Sequence, residues 1–207
     1  MKILYGTTND SKINHMKEMI KELGIEIIGL KEAGETSIKI IEDGKTPLEN
    51  AEKKARGYFK EFKIPVFACD TGLYLKGLKS KDQPGVNVRR IDGKELSDDE
   101  MIEYYSKIAR KNGGEIVGWY ENAIHLILDE KTEFSYQGIE TSSEEFIISE
   151  KPYKKRLIGF PLDSLSKEIK SGKYYLEMAY ESENKDKMED GFKRFFKDNL
   201  KKVENKK

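Results

Sequence analysis

The sequence predicts an α/β fold, a mixed sheet arranged in two lobes, and three observations carry that prediction. Up to about residue 73, helical periodicity alternates with short apolar strand-like runs. From residue 116 onward, strand-like runs follow one another at hairpin spacing. The 207-residue length suffices for one good-sized core or for two lobes, and no internal repeat or low-complexity linker divides it. The expected organisation is a single two-lobed domain over residues 1–203 with a charged C-terminal tail, 204–207.

The elements are expected in this order. Lys2 to Gly6 reads as a short buried strand, and Thr7 to Ser11 as a polar turn. A helix follows with Ile13, Met16, Ile20 and Leu23 on one face and Gly24 as its stop. Ile25–Leu30 and Ile38–Ile41 read as further strands. Thr46 can cap the next helix, Pro47 suits its first position, and Glu49 completes a capping box; the helix runs to about Phe62. Val66–Cys69 is a short buried strand, Asp70-Thr71-Gly72 the turn at its end, and Leu73–Leu78 strand or loop. Ser97 and Glu100 frame a second capping box for a helix to about Lys111, with Leu96 and Met101 as a hydrophobic staple and Gly113-Gly114 as its end. Strands are expected at Ile116–Tyr120 running on into Ala123–Leu128, at Glu133–Tyr136 and at Glu145–Ile148. A last helix, about Lys187–Leu200, presents Met188, Phe192, Phe195, Phe196 and Leu200 on one face.

Composition narrows the function classes. Thirty-eight basic residues balance thirty-eight acidic ones, so no overall charge draws the chain to nucleic acid or to a membrane surface, and neither is expected as a partner. No stretch approaches the ~18 apolar residues of a membrane span. The N-terminus lacks the apolar length of a signal peptide, and a single cysteine, Cys69, builds neither an internal disulfide nor a cysteine-rich zinc site. A cytoplasmic protein is expected.

Three segments carry possible chemistry. Thr7-Thr8-Asn9-Asp10-Ser11-Lys12 joins strand to helix, where backbone N–H groups and the helix dipole favour phosphate and Lys12 adds a full charge; an N-cap followed by a surface lysine is the plainer reading. Glu42-Asp43-Gly44 precedes the Thr46-capped helix, and acids at a loop edge suit Mg²⁺. Asn50 and Lys54 share one face of that helix, which otherwise reads as charged and solvated. Asp70 follows a buried strand, a position where α/β sheets place ligands, and is suited to bind metal or to act as a base on water; an Asp that starts a turn is the alternative.

In this order the segments resemble the inosine triphosphate pyrophosphatase family of non-canonical nucleotide hydrolases. The family pattern Thr-Gly-Asn-x-x-Lys appears as Thr7 to Lys12. Its Glu-x-Gly-x-Thr-Phe-x-Glu-Asn-Ala-x-x-Lys-Ala appears as Glu42 to Ala55, its Asp-Asp-Ser-Gly-Leu as Cys69 to Leu73, and its Pro-Gly-x-x-Ser-Ala-Arg as Pro84 to Arg90. The match spans roughly residues 1–93. The resemblance implies an elongated mixed α/β fold with a central nucleotide cleft between two lobes, a homodimer, and Mg²⁺-dependent splitting of a nucleoside triphosphate into monophosphate and pyrophosphate. It implies that Thr7, Asn9, Lys12, Lys54, Thr71 and Arg90 bind substrate, that Glu42 and Asp70 bind metal, and that Asp70 is catalytic.

Departures bear on base choice. The family's Gly-Phe-Gly-Tyr-Asp-Pro reads Gly159-Phe160-Pro161-Leu162-Asp163-Ser164, so Phe160 and Asp163 remain as base contacts while the tyrosine is replaced by Leu162. The later Ser-His-Arg has no counterpart, and Lys185 matches the lysine before it. Cys69 stands where the family has a second acid and reads as a structural thiol. Altered base selectivity is therefore expected. The rival readings are a nucleotide-binding or sensing protein with weakened turnover, and a structural partner protein using its Tyr- and Phe-rich C-terminal half.

Overall fold

The computed structural model describes residues 1–34, 38–178 and 187–204. Strand β1 (Lys2–Tyr5) is buried from Ile3 onward and leads through a short loop into helix α1 (Asp10–Met19). A 3₁₀ turn at Lys21–Leu23 follows, and Gly24 ends it in the left-handed region. The second strand is shorter than its apolar run: β2 covers Glu26–Ile28, because Gly29 starts the one-turn helix α2 (Leu30–Ala33) and donates its N–H to the Glu32 carboxylate. Ile38–Ile41 forms no strand. Ile38 and Ile40 pack instead with Ala55, Tyr58 and Phe59, where Gly57 leaves room for the Ile40 side chain.

Helix α3 (Pro47–Phe62) begins as expected, with Thr46 accepting from Glu49 N–H. Its capping box does not form, because the Glu49 carboxylate takes Lys45 N–H rather than that of Thr46. Strand β3 (Val66–Leu75) is continuous through Asp70-Thr71-Gly72, so the expected turn there is absent. A short antiparallel pair, β4 (Arg90–Ile91) and β5 (Lys94–Glu95), precedes helix α4 (Asp98–Lys111), whose Ser97/Glu100 capping box does form. The long strand β6 (Glu115–Asp129) joins both runs read from the sequence; β7 (Thr132–Gln137), β8 (Phe146–Ser149), β9 (Ser166–Lys167), the short α5 (Tyr175–Met178) and α6 (Lys187–Glu204) complete the chain.

The strands form a mixed sheet, parallel for β1 with β2 and β3 and antiparallel for β6 with β7 and β8 and for β8 with β9. Contacts divide the chain into two compact units: residues 1–71, 121–143 and 185–207, and residues 72–120 and 144–184. In the first, Ile3, Tyr5, Ile13, Met16 and Phe67 pack with Phe192, Phe195 and Phe196 of α6, and the Phe67 and Phe196 rings meet edge to face at 5.1 Å. Gly191 lets α6 approach closely, since a Cβ there would lie 1.9 Å from Glu140 O. In the second, Leu73, Leu75, Met101, Tyr105, Ile116, Ile148, Leu162 and Leu165 form a separate core. Among the described residues no helix is long and apolar enough to cross a membrane.

Candidate active site

The first unit gathers most of the chemistry-bearing residues. Parallel pairing carries β1 alongside β3 only as far as Tyr5 and Phe67. The chain then leaves β1 through Gly6, which must be small because a Cβ would stand 2.7 Å from the Tyr58 ring. Asp70 therefore lies in mid-strand yet just past the carboxyl end of β1, and the local logic of a parallel sheet edge survives.

Thr7 Oγ1 accepts Asn9 N–H at 3.2 Å, and Asn9 Oδ1 caps α1 by accepting from Ser11 N at 3.0 Å and Lys12 N at 3.2 Å. Two of the N–H groups expected to face a ligand are thus used by the cap. The Lys12 side chain, half-buried, makes no hydrogen bond or ion pair with the described residues. Burial, followed by the neighbouring Lys54 charge, pushes its ammonium below the ordinary lysine range against the pull of Asp70 and Glu42.

Lys54 is differently placed. Its Nζ donates to Asp70 Oδ1 at 2.6 Å and to Glu42 Oε2 at 3.2 Å. Burial disfavours its charge, but Asp70 and Glu42 outweigh that and hold it above the ordinary lysine range. The Glu42 side chain is 36% exposed, that of Asp70 14%. Two carboxylates thus converge on one cation at the edge of the protein, with a second cation, Lys12, beside them.

Asn50 was missed as a site residue, although its spacing of four from Lys54 was visible. It is 2% exposed, accepts Gly44 N–H at 2.8 Å and donates to Asp70 Oδ2 at 3.1 Å. Asn122 was missed too; a polar side chain inside the apolar β6 run was its signal. Its Oδ1 accepts the Thr71 hydroxyl at 2.7 Å, and its Nδ2 donates to Thr141 O at 2.8 Å, so Thr71 is held beside Asp70. Cys69 packs against the core of its unit, and burial pushes its thiol up to about 12.

In the second unit, Arg90 is exposed on β4, while its neighbour Arg89 is tied to Leu96 O at 3.0 Å and Asp98 at 2.8 Å. Phe160 and Asp163 are partly exposed around a 3₁₀ turn, Pro161–Ser164. Leu162 is 4% exposed and belongs to the core of this unit. Lys185 lies outside the described residues.

Fold and site together define a mixed α/β protein in which Lys54 joins the Glu42 and Asp70 carboxylates near the carboxyl end of β1, with Lys12 as a neighbouring charge, an arrangement suited to a polyphosphate. Residues 3–142 match the Ham1 family, and the chain belongs to it. It is 34% identical over 160 residues to a dITP/XTP pyrophosphatase of Leptospira interrogans, covering 77% of each chain. It is 41% identical over 91 residues to a dITP/XTP pyrophosphatase of Aquifex aeolicus, covering 44% of this chain and 42% of that one. The solved HAM1 protein of Coxiella burnetii shares the fold across all of both chains, with a TM-score of 0.68 at 24% identity. The resemblance read from the four motifs is borne out.

Proposed function

We propose that the protein hydrolyses nucleoside triphosphates carrying non-canonical purines to the monophosphate and pyrophosphate. The observation that carries this is the side-chain cluster past the end of β1, where Lys54 joins Glu42 to Asp70 and the neighbouring half-buried Lys12 ammonium has no ion pair among the described residues. A desolvated lysine without a counter-ion is costly unless a ligand supplies the negative charge. The names of the relatives, dITP/XTP pyrophosphatases, support the same reaction. Nothing favours a binder without turnover, since the carboxylates and both lysines are all retained.

Lys12 and Lys54 bind the triphosphate and offset charge as it develops on the phosphoryl oxygens. Asp70 orients the attacking water and accepts its proton through a carboxylate oxygen. The Thr71 hydroxyl is the neighbouring polar contact, and Thr7 and Asn9 shape the loop over which the phosphates pass. The donor set fits Mg²⁺. The Glu42 and Asp70 carboxylates, which share the Lys54 ammonium in this structure, would be its protein ligands, and Mg²⁺ takes one or two carboxylates together with substrate phosphates and water. Bound by these residues, it would supply further positive charge against the triphosphate. Arg90, Phe160, Asp163 and Lys185 are assigned to the substrate and a homodimer is the assembly, both on the family resemblance; the cytoplasm is the compartment, on the composition and the single cysteine.

Pyrophosphate release from a panel of purine triphosphates, with and without Mg²⁺, tests the reading. Asp70→Asn keeps shape and removes the charge, so turnover should fall by about 10²–10⁴-fold while nucleotide binding persists. Turnover of the variant near that of the unaltered protein would overturn the role of Asp70.

A further inference from the structure

We propose that Asn50 is the positioning residue of this site, its carboxamide setting the orientation of the Asp70 carboxylate while it holds the loop that carries Glu42. The inference rests on the function proposed above and deepens it.

Asn50 occupies the first turn of α3, one helical turn before Lys54, so both donors to Asp70 stand on one face of one helix. The carboxylate torsion of an aspartate is soft. Lys54 reaches Oδ1 from a flexible four-carbon stem, and a single contact of that kind leaves the carboxylate free to rotate. Asn50 adds a second bond, from Nδ2 to Oδ2 at 3.1 Å, on a short stem that is 2% exposed. One bond on each oxygen fixes the plane of the group.

The same amide reaches the acidic loop. Its Oδ1 accepts Gly44 N–H at 2.8 Å, two residues after Glu42. Its orientation follows from chemistry, since a backbone N–H can only donate and a carboxylate oxygen accepts. Turning the amide over would set N–H against N–H and oxygen against oxygen. Gly44 is required for the approach: a Cβ there would stand 2.5 Å from Asn50 Oδ1 and 2.8 Å from Glu49 Cβ. One buried side chain therefore joins the loop bearing Glu42 to the strand bearing Asp70, and Lys54 closes the triangle from the other side.

Asn50→Asp separates positioning from simple loop-holding. The substitution keeps the shape and an acceptor toward Gly44 N–H, and it replaces only the donor to Asp70, by a like charge. A misplaced reacting group costs on the order of 10²-fold, so kcat should fall about 100-fold or more with KM for the triphosphate within about threefold. The melting temperature should also fall, and the double variant Asn50→Asp/Asp70→Asn, which exchanges donor and acceptor, should recover more than about half of that loss. Recovery includes the case in which Asn50→Asp alone does not fold and the double variant does. A kcat of Asn50→Asp within about threefold of the unaltered protein would reduce Asn50 to a loop anchor. Melting that Asp70→Asn fails to relieve, or two variants that both fail to fold, would also overturn the proposal. If the unaltered protein releases no pyrophosphate from any triphosphate, the functional reading fails, and the melting cycle still decides whether Asn50 and Asp70 are coupled.

Discussion

Lys12 shows most directly how function can oppose stability in this chain. Its ammonium is desolvated, repelled by Lys54 and unpaired among the described residues, and its pKa falls below the ordinary 10.5. The folded protein therefore binds fewer protons than the unfolded chain between the lowered value and 10.5. The Lys12 contribution to stability is least favourable at pH below the lowered value, and it improves as pH rises through that window. Lys12→Met removes the charge and keeps the stem. It should raise the melting temperature by about 2–4 °C, for ~1 kcal/mol in a chain of this size, and weaken triphosphate binding about tenfold or more. Nucleoside binding should change little, and the loss should shrink as salt rises. Scanning calorimetry and titration with triphosphate and nucleoside check both halves; a lower melting temperature with unchanged triphosphate affinity would contradict the account. Lys54→Ala should likewise weaken triphosphate binding, but with a loss of stability, because Glu42 and Asp70 lose their shared counter-ion.

At the scale of elements, the two long capped helices have different tasks. Helix α4 is held by a complete capping box, with Glu100 N–H on Ser97 Oγ at 3.3 Å and Ser97 N–H on Glu100 Oε2 at 2.8 Å. Lys94 first, and then Ser97 N–H, hold the Glu100 carboxyl down to about 2. Its contribution is present above the ordinary carboxylate range and is lost as pH falls toward that value. Ser97→Ala should cost about 1 kcal/mol, a melting shift of about 2–4 °C, with pyrophosphate release unaltered. A large loss of turnover would show that α4 reaches the chemistry. Helix α3 is bound to the site itself, through Asn50 and Lys54. Gly44→Ala should accordingly lower turnover, because the added Cβ meets Asn50 Oδ1, Asn50 N and Glu49 Cβ at 2.5–3.0 Å and the loop must shift.

At the scale of the whole molecule, the open matter is which base the triphosphate carries. Leu162 stands where the family pattern has tyrosine and is buried in the core of its unit, so no phenol is offered at that position. The Ser-His-Arg of the family pattern is absent from the sequence. A site that hydrogen-bonds a base edge rejects wrong bases strongly, because buried polar groups would go unpaired; shape alone yields about 1–3 kcal/mol. Discrimination of inosine and xanthosine triphosphates from the common purines should therefore stay below several-hundred-fold, on the order of the shape-only limit. Ratios of kcat/KM across the four purine triphosphates measure it, and a larger preference would mean that other residues restore the lost contacts.

The sequence by itself determined the long, strongly patterned elements and the chemical inventory. Thr46 and Ser97 start the two capped helices, the phenylalanine stripe of α6 is buried, and four ordered motifs name the family, because caps, periodicity and spacing are local properties of the chain. Only the tertiary structure decided how those residues are used. Asp70-Thr71-Gly72 reads as a turn from its composition, yet β3 runs straight through it, since neighbouring strands override local preference. Ile38–Ile41 has strand composition, but its isoleucines are taken up by the face of α3 around Gly57. Asn50 and Asp70 are twenty residues apart, and Thr71 and Asn122 fifty-one. Their hydrogen bonds depend on the register and packing of distant segments, which local patterns do not encode, so the partners that orient the site emerge only when the chain is folded.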